Sequence, residues 1–145
     1  MATYPAQYIA NYVVSYCTKA GHPISNLKLQ KMLYFLWIEY FKKTGIELYL
    51  DDICAWKLGP VVPEVYYNFC SYAGTPIELN IPESIDDEDI GIINPVIAQY
   101  LPIAASVLVN RTHAKGKPWD MIYQDGLGNR AVIPFQLIRR LECSA

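Results

Sequence analysis

The chain has 145 residues, of which 52% are hydrophobic and 18% charged, and its formal net charge is −2. This length suits a single domain, residues 1–145, and the hydrophobic content is enough for a packed core, so the composition excludes a disordered chain. The weakly negative charge lacks the basic excess of nucleic-acid-binding domains, and we expect this chain alone to bind no nucleic acid.

The cysteines carry no metal or disulfide signature. None of Cys17, Cys54, Cys70 and Cys143 forms a CxxC pair, and three of the four lie inside apolar or aromatic runs. We therefore expect buried, reduced thiols and a cytoplasmic location. The first residues, MATYPAQYIANYVV, have no basic region ahead of an apolar one, so they do not resemble a signal peptide.

One uncharged stretch, Ile90 to Asn110, was tested as a membrane span. Two prolines and several polar residues interrupt it, and its continuous apolar part is about half of the ~20 residues that a span needs. We expect core helices here and no membrane association.

The first predicted helix runs from Tyr4 to Ala20, with Thr3 as its cap and Gly21 as its end. Its apolar residues recur at the spacing of one helical face. The second helix begins after Ser25 or Asn26, closes at Gly45 and is the most strongly predicted element of the chain.

This second helix is apolar around most of its girth, which predicts a central position. Its predicted buried stripe comprises Leu29, Met32, Leu33, Leu36, Trp37 and Tyr40. The opposite side is assigned to Lys28, Lys31, Glu39 and Lys42, with Phe35 among them.

Residues 46–57 are rich in β-branched and aromatic residues around Asp51-Asp52, which predicts a small β element of two short strands, or of one strand and a loop. Pro63 then suits the first turn of a third helix that ends at Gly74. The predicted inner face of that helix comprises Val62, Val65, Tyr66, Phe69, Cys70 and Ala73.

The segment around Glu78–Asp89 is an acidic connection, and a short strand at Ile77–Leu79 is an option at its start. Asn94-Pro95 is a favourable helix start, and Pro102 must kink or split the helical run that ends at Thr112. A last helix is marked by Pro134, Leu137, Ile138 and Leu141. The fold prediction is a mainly α, compact bundle of five to six helices.

The chemical motifs predict no enzyme, no cofactor and no metal. GLGNRA, Gly126–Ala131, has the spacing of a dinucleotide fingerprint, but the remaining chain is too short for the βαβ unit that this motif needs. The only histidines, His22 and His113, have no paired ligands or evident nucleophile beside them. The acidic run Asp86–Asp89 lacks the alternating ligands of a calcium loop.

Two stretches remain informative. Thr112-His113 falls where a helix should end, and Trp119, after Pro118, can fold back over it; this is either an aromatic lid on a helix terminus or a ligand site. The second stretch, AWKLGPVVPEVYYNF, spans residues 55–69.

This second stretch is a structural junction or a protein interface. Lys57 before Gly59-Pro60 is no phosphate-binding loop, because that loop needs several glycines ahead of its lysine. Tyr66 points inward on the predicted helix and Tyr67 outward, and exposed aromatic residues often anchor protein partners.

Taken together and in this order, ISNLKLQKMLYF, AWKLGPVVPEVYYNF and TH-AKGK-PW resemble the Panacea domain family, which includes SocA-like and GepA-like phage-associated proteins. The similarity spans roughly Ile9 to Leu141 and is poor over Glu78 to Ala105. The matching positions are Leu29, Gln30, Lys31, Leu33, Tyr34, Trp56, Gly59, Pro60, Val61, Thr112, His113, Pro118 and Trp119.

This resemblance implies an antitoxin of a bacterial or phage-borne toxin–antitoxin pair, which neutralises its cognate toxin by direct protein contact. We expect partner binding to involve Trp56, Lys57, Tyr67, His113 and Trp119. Two alternatives stay open: a ligand-binding protein or enzyme with a pocket near His113 and Trp119, or an adaptor or regulator that delivers a partner to proteolysis or to DNA.

Overall fold

The computed structural model describes residues 1–144, and within this range the mainly α prediction is confirmed. Seven α-helices and one two-stranded antiparallel sheet form in these residues. The α-helices are α1 Ala6–Lys19, α2 Asn26–Thr44, α3 Pro63–Asn68, α4 Asp87–Tyr100, α5 Ala105–Thr112, α6 Pro118–Tyr123 and α7 Phe135–Ile138; the strands are β1 Cys54–Trp56 and β2 Gly59–Val61.

Helix α2 is the centre of the fold, as its apolar girth predicts. It contacts α1, α4, α5, β2 and the π-helical turn Arg139–Cys143 that follows α7. All six residues of its predicted stripe are buried. The Ser25 hydroxyl accepts a hydrogen bond from Lys28 N–H, and Gly45 closes the helix at φ 71°, so both predicted ends are confirmed.

The start of α1 differs from the prediction because the preceding residues are extended. Tyr4 N–H bonds the Leu48 carbonyl at 2.8 Å, and the Thr3 hydroxyl donates to the Glu47 carbonyl instead of capping a helix. The helix therefore begins at Ala6, whose N–H donates to the Asp51 carboxylate at 2.9 Å.

That role of Asp51 also corrects the predicted strand turn. Asp51-Asp52 does not connect two strands; the hairpin lies further along the chain, with Lys57 and Leu58 at its turn and Trp56 paired with Gly59. The small β element exists, but residues 46–50 form an irregular segment that buries Leu48 and Tyr49 against the core.

The middle of the chain contains three further corrections. Helix α3 ends at Asn68 and is followed by a 3₁₀ turn, so Cys70 and Ala73 are exposed instead of lining an inner face. Ile77 makes a single β-bridge with Ile24 and no strand. The four cysteines are free, as expected, although only Cys17 and Cys54 are buried.

Helix α4 begins at Asp87, well before Asn94, and contains Pro95 in its interior. Acidic residues in its first turn stabilise this start through the helix dipole. One of them, Asp89, is buried and accepts hydrogen bonds from the Tyr4 and Tyr40 hydroxyls at 2.6 and 2.9 Å. The end of the acidic segment is thus part of the core.

The predicted break at Pro102 is confirmed, because α4 and α5 meet there at a bend of 107°. Within residues 1–144 no single helix is long and apolar enough to cross a membrane, although this bent pair together passes that test of length and composition. The last predicted helix is confirmed as α7, which begins after Pro134; α6 is the helix that the sequence did not predict.

We predict that Leu33→Ala lowers the free energy of unfolding by about 2–5 kcal/mol, because Leu33 is fully buried on α2 and the change leaves a cavity. Leu50→Ala is the matched control, since Leu50 is 62% exposed and should change stability by less than about 0.5 kcal/mol. Denaturant titrations measure both, and equal midpoints for the two variants would contradict the central position of α2.

Candidate functional site

The three sequence motifs meet beneath the turn of the β1–β2 hairpin. A Cβ placed on Gly59 would lie 2.7 Å from Lys31 Cε on α2 and 2.8 Å from Thr112 Oγ1 on α5. Gly59 itself has φ +117°, a conformation that residues with a side chain rarely adopt. Glycine at this position therefore allows α2, the hairpin and α5 to contact one another closely.

Lys31 is fully buried, which corrects its predicted place on the polar side of α2. Its ammonium donates to the Pro60 carbonyl at 2.9 Å, and burial lowers the pKa of Lys31 to about 7. The hairpin covers the side of α2 that Lys31 occupies. One feature of the sequence did indicate this burial. Tyr34 and Ile38 follow Lys31 at helical spacing, so they lie on the same side of α2, and both are buried.

Gln30 and Asn26 connect α2 to the start of α3 through buried hydrogen bonds. The Gln30 amide oxygen accepts from Val62 N–H at 2.9 Å, and its nitrogen donates to the Asn26 side chain at 3.0 Å. The Asn26 amide in turn donates to the Tyr66 carbonyl at 3.1 Å. These bonds fix the orientation of α3 and, through it, the outward direction of Tyr67.

The predicted aromatic lid at the end of α5 is present. The His113 ring lies flat on Trp119, with centroids 3.7 Å apart and 5° between planes, and Trp119 stacks on Tyr123 at 4.5 Å. Burial first, and then the charge of Lys31, lower the pKa of His113, while Asp120 opposes them. This shift favours the neutral imidazole, and its contact with Trp119 leaves no room between the two rings.

Trp56 connects the inner stack, which consists of the His113, Trp119 and Tyr123 rings, to the surface. Its carbonyl accepts a hydrogen bond from the Trp119 indole at 2.7 Å, and its ring packs edge-on against Tyr66. On its outer side, the Arg130 guanidinium lies 4.4 Å from the centre of the Trp56 ring and donates to the Tyr67 hydroxyl at 3.3 Å.

The contacts among Trp56, Arg130 and Tyr67 lie at the surface, next to the hairpin turn. We define the hairpin face as these three side chains together with those of Lys57 and Leu58. Leu58 is 51% exposed and Tyr67 is 56% exposed. Three of these five residues, Trp56, Tyr67 and Arg130, are of the aromatic and arginine types that are enriched at protein-binding surfaces.

Sequence reasoning missed Arg130, because it treated residues 126–131 only as a turn. They do form a turn, and the Arg130 and Ala131 backbone pairs with Ala55 of β1. This pairing joins residues that are far apart in the chain, so no local sequence pattern predicts it.

A cavity of about 350 Å³ opens beside the hairpin face and is called here the Lys31 cavity. Lys31, Gln30, Trp56, Tyr66 and Arg130 form part of its wall, and no acidic residue lines it. Its lining therefore combines aromatic side chains with polar and positively charged ones.

The structure divides the predicted partner-binding residues into two groups. Trp56, Lys57 and Tyr67 lie together on the hairpin face, whereas His113 and Trp119 lie beneath it. The other motif residues were predicted as structural positions, and the following eight are buried: Leu29, Leu33, Tyr34, Gly59, Pro60, Val61, Thr112 and Pro118.

The family model described as "Antitoxin SocA-like, Panacea domain" matches residues 29–120, which span the three motifs from Leu29 to Trp119. The protein named "Antitoxin SocA" from Caulobacter vibrioides (strain NA1000 / CB15N) is 34% identical over 133 aligned residues, covering 81% of this chain and 69% of that protein. No solved structure matches the chain.

We predict that Gly59→Ala destabilises the fold by at least about 2 kcal/mol, because the added Cβ strains the backbone and collides with Lys31 and Thr112. The matched control is Gly21→Ala, where φ is also positive but nothing lies within 4 Å, so only about 1 kcal/mol of strain is expected. Thermal melting compares the two, and an equal loss in both variants would show that close packing at Gly59 is unimportant.

Lys31 should make stability depend on pH. Because its folded-state pKa is about 7 and its ordinary value is 10.5, the unfolded chain holds a proton between these values that the folded chain has released. Stability therefore rises with pH in this window, by up to about 1.4 kcal/mol per unit, and the full charge-burial cost remains below pH 7.

Lys31→Met removes this contribution, so the stability of the variant minus that of the parent should fall as pH rises from about 7 to about 9. Urea titrations at each pH measure this difference, in which the thiols and tyrosines shared by both proteins cancel. Parallel stability curves would contradict the depressed pKa of Lys31.

Proposed function

Since the chain belongs to the SocA-like Panacea domain family of antitoxins, we propose that it neutralises a cognate toxin by direct contact through the hairpin face. The observation that carries this proposal is the convergence of all three family motifs beneath that one exposed surface. The motif residues hold the hairpin rigidly, and the exposed side chains around it are free to meet a partner.

The composition of the hairpin face supports a protein partner. Tryptophan, tyrosine and arginine are the residues that most often dominate the energy of protein interfaces. Arg130, Trp56 and Tyr67 already contact one another in the unbound chain, so little side-chain freedom is lost when a partner docks. This preorganisation favours binding without a rearrangement of the face.

The proposed role is non-catalytic. His113, whose imidazole could in principle take part in acid–base chemistry, is stacked on Trp119, and this contact favours a packing role over a ligand pocket. We place the complex in the cytoplasm, where the four free thiols would remain reduced.

The experiment that tests the proposal is co-expression with the product of the neighbouring gene. Growth should stop when that gene is induced alone and resume when this chain is induced with it, and the two proteins should purify as a complex. Rescue without a complex would contradict direct contact, and the absence of rescue would contradict neutralisation of that protein.

We predict that Tyr67→Ala weakens toxin binding by about 1–2 kcal/mol and leaves the melting temperature nearly unchanged, because the side chain is exposed and contributes little to the core. The double variant that also carries Lys57→Ala should bind the toxin more weakly still. Tyr8→Ala on α1 is the control, since Tyr8 is 44% exposed and lies outside the hairpin face. Equal affinities for the parent and the Tyr67 variant in a calorimetric titration would remove this residue from the binding surface.

A further inference from the structure

Arg130 is an exposed side chain that the fold nevertheless holds in place. Its backbone N–H donates to the Ala55 carbonyl of β1 at 2.6 Å. Its guanidinium lies 4.4 Å from the centre of the Trp56 ring and donates to the Tyr67 hydroxyl at 3.3 Å. Both ends of this arginine are therefore positioned before a partner arrives, so binding costs little of its side-chain entropy.

The hydrogen-bonding capacity of Arg130 and Tyr67 is only partly used. A guanidinium has five N–H donors, and the bond to Tyr67 takes one of them. Within residues 1–144 no carboxylate lies at ion-pair distance from Arg130. The Tyr67 hydroxyl accepts the bond from Arg130, and its own proton has no acceptor in the described part of the chain. Donors thus lie side by side at the surface, in an arrangement from which a carboxylate can accept.

The surroundings of these donors are positively charged. Lys57 and Arg130 are both exposed and line the Lys31 cavity, and no acidic residue lines it. Lys31 itself lies beneath the hairpin with its ammonium bonded to Pro60, so a partner at the surface does not contact it. An acidic group at the exposed rim of the cavity would therefore meet two accessible cations and no like charge.

We propose that Arg130, with the Tyr67 hydroxyl beside it, receives an aspartate or glutamate side chain from the surface of the toxin. Lys57 attracts this acid by its charge, and an apolar neighbour of the acid packs on the exposed Leu58. This inference rests on the proposed function and names the chemistry of its contact. The carboxylate stays at the exposed rim, so the hairpin does not have to open. Such a pair contributes chiefly to the choice of partner and to the rate of association.

The side chains around Arg130 favour a protein carboxylate over a phosphate. Leu58 is 51% exposed, and the Trp56 ring provides an aromatic surface against the guanidinium. These groups suit an acid whose neighbours on the partner are apolar. Nucleic-acid binding would instead need a broad basic patch, and this chain has a net charge of −2.

The test uses random linear peptides displayed on phage and selected on the intact protein. Selection on the parent should enrich peptides with an aspartate or glutamate beside an apolar residue, and selection on Arg130→Met should lose this preference. Arg111→Met is the matched control: Arg111 is also exposed, but it lies on α5 and outside the lining of the cavity. Its selection should resemble that of the parent.

A selected peptide is then synthesised with its acid and with the isosteric amide. For the parent protein at low salt, the Glu-to-Gln or Asp-to-Asn change should weaken binding by about fivefold, which corresponds to about 1 kcal/mol. Added salt should reduce this ratio, because the pair is exposed. For Arg130→Met the same change should cost less than about twofold. A merely structural role of Arg130 would weaken both peptides equally and leave the ratio unchanged.

Each remaining outcome counts against the inference. An acid-to-amide ratio that survives in Arg130→Met would reject Arg130 as the receptor of the acid, and an acidic preference lost equally in Arg111→Met would assign it to the overall charge of the protein. A lack of acidic or of any selected peptides would reject the rim as an acid receptor. Displacement of the acidic peptide by inorganic phosphate at low millimolar concentration would make the rim a general anion site. Because no toxin is used, these results are independent of growth rescue, which alone decides the proposed function.

Discussion

The hydrogen bond from the buried Lys31 ammonium to the Pro60 carbonyl determines how the hairpin sits on the central helix. A charge that is removed from water is costly unless its donors find acceptors, so the hairpin backbone must approach Lys31 closely. That approach requires glycine at position 59, and it brings Thr112 of α5 to the same place. The spacing of the three motifs along the chain thus reflects one point of contact in the fold.

Trp56 connects this packing to the surface. Its backbone carbonyl is bonded to Trp119 of the inner stack, while its ring supports Arg130 and, through Arg130, Tyr67. The exposed side chains of the hairpin face are therefore ordered by residues that are buried. Buried residues thus fix the positions of the exposed groups through which the proposed partner contact would be made.

Periodicity and end signals in the sequence were sufficient for α2, for the break at Pro102 and for the aromatic lid over His113, because each depends on residues close together in the chain. They were insufficient for the burial of Lys31. A lysine is expected at the surface, and the hairpin that covers Lys31 lies almost thirty positions away in the chain. Arg130 was missed for the same reason. Helix α4 starts earlier than Asn94 because Tyr4 and Tyr40 bind Asp89 from distant elements, which outweighs the unfavourable Pro95.

Hydrogen–deuterium exchange of this chain, alone and bound to the toxin recovered by co-expression, tests most directly whether the hairpin face is the surface that a toxin contacts. If the hairpin face is that surface, binding slows exchange in residues 54–61, at the exposed side of α3 and in residues 129–131. Protection confined to the opposite side of the molecule, in α1 and the acidic segment Glu78–Asp89, with unchanged exchange in the hairpin, would contradict it.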